Sequence, residues 1–121
     1  MPLGWALIVV QFGYLALRLA ERWPAGRVLA GLTLLGLSLP PWYEEFAAPA
    51  RAWYYPARGW MLSHTPVWII LTYGGCIFSI AVLALEGYQP RAWGRAVVSG
   101  MLAGAAFMFF GVCGYAWLGQ G

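Results

Sequence analysis

Four stretches without charged side chains divide this chain, and polar residues gather between them. Residues 1–17 hold no charge and are closed by Arg18, Glu21 and Arg22. A second run, 28–43, reaches Pro40-Pro41 near its end and stops at Glu44. A third, 59–85, contains His64 and Pro66 and ends at Glu86, and a fourth begins at Ala96 and continues to the C-terminus. A helix needs about 20 residues to cross the hydrocarbon core, with a range of about 17–25. The pattern predicts one all-α domain over residues 1–121, an integral membrane bundle of four transmembrane helices at about 2–20, 26–42, 65–85 and 94–118. An aromatic-rich connection follows at 43–64. The first span reaches full length if Arg18 snorkels to the interface. The second is the shortest and its prolines interrupt it, so three spans plus a re-entrant segment at 28–43 stays open.

The ends of the runs carry helix punctuation. Pro24 and Pro66 suit the first turns of the second and third helices, with Thr65 or Ser63 as a cap, and Pro90 precedes the fourth. Trp5, Trp23, Trp42, Trp53, Trp60, Trp93 and Trp117 fall near predicted span ends, as an aromatic belt requires. Arg18, Arg22, Arg27, Arg91 and Arg95 flank the first and third connections, against Arg51 and Arg58 in the second. Five arginines on one side place both termini outside the cytoplasm by the positive-inside rule. The expected location is a bacterial cytoplasmic membrane. In the fourth run, Gly100 and Gly104 stand in GxxxG register, followed by Gly111 and Gly114, small residues that let helix backbones approach closely in lipid. Contact within the chain is the favoured use of them, and contact with another protomer the alternative.

Composition strengthens the membrane reading. The chain is 62% hydrophobic and 9% charged, it lacks Lys, Asp and Asn, and its mean hydropathy is +0.68. Soluble domains carry about 25% charged residues, so eleven charges leave the surface of a water-soluble monomer unsolvated. The net charge of +3 is scattered and contains no basic run for nucleic acid. Cys76 and Cys113 sit in apolar stretches and read as small hydrophobes rather than disulfide or metal ligands. The N-terminus lacks the basic region of a cleavable signal peptide.

Candidate chemistry collects between Pro40 and Pro66. An ionisable side chain at membrane depth is a functional-site hypothesis, and burial would keep Glu44 or Glu45 protonated, as a general acid requires. The alternative pairs these carboxylates with Arg51 or Arg58 at the interface, whereas Glu86 reads as a solvated helix cap. His64, the single histidine, has three readings: a hydrogen-bonded interfacial residue, an acid/base partner of Glu45, or a ligand to a haem or chlorophyll-type magnesium shared with another subunit. No metal-ligand spacing surrounds it. Tyr54, Tyr55 and Tyr73 offer hydroxyl donors, and Tyr and Trp rings can stabilise a cation.

Glu45, the run Trp53-Tyr54-Tyr55-Pro56, Trp60, and Pro66-Val67-Trp68 leading into Tyr73-Gly74-Gly75 resemble AveC-type spirocyclases. They are also loosely similar to integral-membrane carotenoid hydratases and cyclases. The Pro-Trp-Tyr-Glu-Glu-Phe run resembles an element of heterodimeric lycopene cyclases, with spacing that differs by one residue. These resemblances cover residues 40–76. They imply cofactor-free and metal-free acid/base catalysis on a lipophilic isoprenoid or polyketide, with Glu45 as acid/base and Trp53 and Tyr54 lining the pocket. The catalytic candidates are therefore Glu44, Glu45 and His64, and the substrate-binding candidates Trp53, Tyr54, Tyr55, Trp60, Trp68 and Tyr73. The chain is about half the length of the spirocyclases, so a homo-oligomer would complete the site. A different class of function remains beside this one: an accessory subunit of a respiratory or photosynthetic complex, packing against partner helices, pigments, quinone or lipid.

Overall fold

In the computed structural model, which describes residues 2–47, 49–50, 59–87 and 93–118, the chain is all-α apart from one short hairpin. The helices are α1 (Pro2–Ala20), α2 (Ala25–Ala47), α3 (Val67–Gly87) and α4 (Trp93–Leu118). Strands β1 (Met61–Leu62) and β2 (Thr65–Pro66) pair antiparallel between α2 and α3. Near the end of α1, exposed Arg18 donates to both carboxylate oxygens of Glu21, at 2.8 and 2.9 Å. The Pro24 carbonyl accepts from the backbone N–H groups of Arg27 and Val28, so Pro24 stands just before α2 rather than in its first turn. Pro66 likewise ends β2, and α3 starts one residue later.

The sequence expectation for Pro40-Pro41 is corrected. α2 runs through both prolines and ends at Ala47, so Glu44 and Glu45 belong to a helix and not to the connection. Proline removes a backbone donor and crowds the carbonyl four residues earlier. Packing against α3 outweighs that local cost. The residue four before Pro40 is Gly36, and Val28, Leu32, Gly36, Pro40 and Glu44 are all buried at four-residue spacing. The side chain of Pro40 is among the most completely buried in the molecule.

α3 is the central element and touches each of the other three helices. One buried cluster joins Ala16 of α1, Val28 and Leu32 of α2, and Ile77 and Ala81 of α3. A second joins Cys76 and Ile80 to Ala103 of α4, flanked by Ile8, Val9, Phe12 and Phe107. Glycines set the interhelical distances. A Cβ on Gly36 would lie 2.9 Å from Ile77 Cδ1 and 3.2 Å from the Tyr73 carbonyl, and one on Gly74 would overlap the Leu37 side chain. On the neighbouring face, a Cβ on Gly75 would come within 2.7 Å of the Phe110 ring. The Thr72 hydroxyl donates to the Trp68 carbonyl at 2.7 Å and also lies 3.3 Å from the Phe110 carbonyl of α4.

The α4 glycines divide. A Cβ on Gly114 would lie 3.2 Å from the Trp68 carbonyl and one on Gly111 3.8 Å from Thr72 Cγ2, so these two serve the α3–α4 seam. A Cβ on Gly100 or Gly104 would meet nothing within 4 Å among the described residues, a correction to their expected use within the chain. Helices Val67–Gly87 and Val97–Leu118 are long and apolar enough to cross a membrane. α4 is apolar on nearly every side yet scarcely covered, and Trp117 at its end is 89% exposed.

The glycine contacts yield a contrast in stability. Gly36→Leu should destabilise the fold in mild detergent by about 1–3 kcal/mol, the usual cost of overpacking. Gly31→Ala, on the same helix with nothing within 4 Å of the new Cβ, should be neutral or add up to about 1 kcal/mol through helix propensity. Thermal unfolding followed by helical circular dichroism measures both.

Candidate active site

The four-residue stripe of α2 determines what its two adjacent glutamates can do. Glu44 continues the buried series and is 5% exposed, whereas Glu45, about 100° further round the helix, points outward. Glu44 lies within electrostatic reach of Tyr73, which is half-buried on α3. Glu44 and Tyr73 each take part in a polar or ring interaction.

The β1–β2 hairpin delivers the partner of Glu45. Met61 pairs with Pro66 and Leu62 with Thr65, leaving Ser63-His64 as a two-residue turn. Ser63 has φ of 53°, the left-handed region that a type II′ turn requires at its first central position and that normally calls for glycine. The backbone N–H of Val67 donates to the Trp60 carbonyl at 2.9 Å and ties the hairpin to the start of α3. Held this way, His64 Nδ1 lies 3.2 Å from Glu45 Oε1 across 19 residues of sequence, and Ser63 Oγ lies 3.3 Å from the same nitrogen. Strain of this kind persists only where surrounding contacts over-determine the turn. Beneath the turn, Thr65 is fully buried and its hydroxyl has no hydrogen-bond partner among the described residues.

Hydrogen bonds from Ser63 and then His64 hold the Glu45 carboxyl below the ordinary carboxylate range. The expectation of a buried, proton-bearing acid therefore does not fit Glu45, which is half-exposed and anionic near neutral pH. An anionic carboxylate against Nδ1 favours the tautomer with its proton on that nitrogen and leaves Nε2 to accept a proton. The arrangement is a carboxylate–imidazole contact, with the Glu45 carboxylate set against Nδ1 of His64.

The other sequence candidates separate. Trp60 is exposed beside the hairpin, and Trp68, in the first turn of α3, packs edge-on against Tyr115 of α4 at 5.5 Å. Trp53, Tyr54, Tyr55, Arg51 and Arg58 lie outside the described residues, and so does any pairing of Glu44 with Arg51. Among the described residues, no three His, Cys, Asp or Glu side chains gather to hold a metal ion. Ser63 was visible in the sequence only as a possible helix cap. Its turn lacks the Gly or Asn that normally announces a hairpin.

A family described as a domain of unknown function, DUF6989, matches residues 1–118. No curated protein and no solved structure matches the chain.

The lowered Glu45 carboxyl has a defined signature in acid. A group whose folded-state pKa lies below its unfolded value of 4.5 stabilises the fold above that value. The contribution is lost as pH falls through the folded-state value. Thermal scans between pH 3 and 7 should therefore show a loss on the acid side of 4.5 that is smaller in Glu45→Gln. Identical acid limbs in the two proteins would remove the contact.

Proposed function

The chain belongs to the DUF6989 family, and we propose that it is a four-span integral membrane protein using Glu45 and His64 for acid/base chemistry on a lipophilic substrate. The observation that carries this reading is the His64–Glu45 contact, formed across 19 residues and maintained by a strained serine turn. An exposed pair adds little to stability, so the strain at Ser63 is better accounted for by the position it gives His64. Nε2 of His64 takes a proton from the substrate or returns one to it, and the Glu45 carboxylate stabilises the imidazolium formed in between. The rings of Trp60, Trp68 and Tyr73 belong to the same end of the bundle and suit a substrate that develops positive charge. A membrane-embedded cyclase or hydratase acting on an isoprenoid or polyketide has this requirement, and the resemblance over residues 40–76 agrees with it.

In this reading α3 and α4 are full spans, an assignment their length and apolar composition support, and α1 and α2 complete the bundle. Arg18, Arg22, Arg27 and Arg95 then mark the cytoplasmic end, and the Glu45–His64 site lies at the opposite face. The extensive apolar surface of α4 favours a second reading, an accessory subunit whose α4 is covered by partner helices.

Two experiments test these readings. In a background free of Cys76 and Cys113, Arg22→Cys and Leu62→Cys should be labelled by an impermeant maleimide from opposite sides of the membrane. Labelling from the same side would overturn the four-span arrangement. Membranes expressing the chain should accumulate a converted isoprenoid or polyketide detectable by mass spectrometry of lipid extracts. His64→Ala should reduce this conversion by about a hundredfold or more, the scale of a lost general acid–base. Unchanged conversion in His64→Ala would exclude the acid/base site, and stable co-purification with large redox subunits would favour the accessory reading.

A further inference from the structure

At the opposite end of the bundle from Glu45, the end of α3 and the start of α4 enclose an open cavity of about 410 Å³. Leu83, Val98 and Leu102 provide apolar walls, and Glu86, Arg95 and Ser99 bring one anion, one cation and one hydroxyl to the same space. The volume lies within the range of small-molecule sites, about 300–1,000 Å³. Glu86 and Arg95 form no ion pair with each other or with any other described residue, although both line this cavity. Opposite charges that line one cavity, one from α3 and one from α4, and do not close on each other are complementary to a ligand carrying both signs. The apolar side continues onto the exposed face of α4 at Val97, Val98 and Met101, a surface suited to acyl chains.

We propose that this cavity binds a phospholipid through a phosphoethanolamine headgroup. The guanidinium of Arg95 takes the phosphate and Ser99 donates to one of its oxygens. The Glu86 carboxylate accepts from the ammonium, and the first methylenes of the acyl chains lie along Leu83, Val98 and Leu102. A primary ammonium donates hydrogen bonds to Glu86, which the trimethylammonium of phosphatidylcholine cannot do. Phosphatidylglycerol brings a second-sign mismatch, since Glu86 then faces no cation. Ser99 is already placed at the cavity by the close approach of Gly87, where an added Cβ would stand 3.3 Å from Ser99 Oγ. The proposal rests on the membrane placement of α3 and α4 and is independent of the Glu45–His64 chemistry.

The test uses the full chain in nanodiscs of equal phosphatidylethanolamine, phosphatidylglycerol and phosphatidylcholine, released into mild detergent and read by native mass spectrometry. The wild-type chain should retain phosphatidylethanolamine roughly tenfold over either competitor, the discrimination expected from one charge-assisted hydrogen bond. Arg95→Gln should lose retention of all three, and Glu86→Gln should retain lipid without the preference over phosphatidylcholine. Gly94→Trp should block retention, because Gly94 lines the cavity and a Cβ there meets nothing within 4 Å among the described residues. It serves as the check if a charge variant fails to elute as a folded species. Retention in the proportions of the bilayer, a preference for phosphatidylglycerol, or equal binding of soluble glycerophosphoethanolamine would each overturn the proposal. A chain that never enters nanodiscs would overturn the membrane placement itself and is distinguishable from those results.

Discussion

The close approach of α2 and α4 to α3 is the constraint on which the rest depends. Gly74 and Gly75 are neighbours in sequence and point about 100° apart on the helix, so one admits Leu37 of α2 and the other Phe110 of α4. Gly36 answers from α2 by lying against Ile77 and the Tyr73 carbonyl. Between apolar helices in lipid, burial from water does not drive association, and contact depends on how closely backbones and side chains interdigitate. A side chain at either member of the Gly74–Gly75 pair would push one neighbouring helix outward.

That contact explains the course of α2. Two consecutive prolines should end a helix, but Gly36 and Pro40 lie in the face pressed against α3, and Glu44 is the next residue in the same row. Continuation of the helix puts Glu44 inside and Glu45 outside, which separates two chemically identical side chains by environment alone. The hairpin then returns to the start of α3 through the Val67–Trp60 hydrogen bond, and its strained Ser63 turns His64 toward Glu45. Packing in the apolar middle of the bundle thus positions a polar pair at one end.

The two ends of α3 have different chemistry. One end gathers a carboxylate, an imidazole and a buried hydroxyl at the β1–β2 turn. The other places Glu86 and Arg95 on an open, largely apolar cavity. Between them, most of the apolar surface of α4 is left uncovered by the described residues.

Charge scarcity and the four uncharged runs were enough to read an all-α chain and to locate its helices within a few residues, because a long apolar run has few other ways to satisfy its backbone. Charges are rare here, so the polar cluster between residues 40 and 66 stands out in the sequence, and the Glu45–His64 contact falls within it. Three decisions belonged to the tertiary structure. Proline chemistry alone predicts an interruption at Pro40-Pro41, and only the α3 face against Gly36 shows why α2 continues. Glycine spacing draws the eye to Gly100 and Gly104, yet the close contacts fall at Gly36, Gly74, Gly75 and Gly114, since spacing on one helix does not say which face a neighbour covers. Glu44 and Glu45 are indistinguishable as letters. Which one is buried and which one meets His64 depends on helix phase and on a turn formed 19 residues away, and both are set by packing.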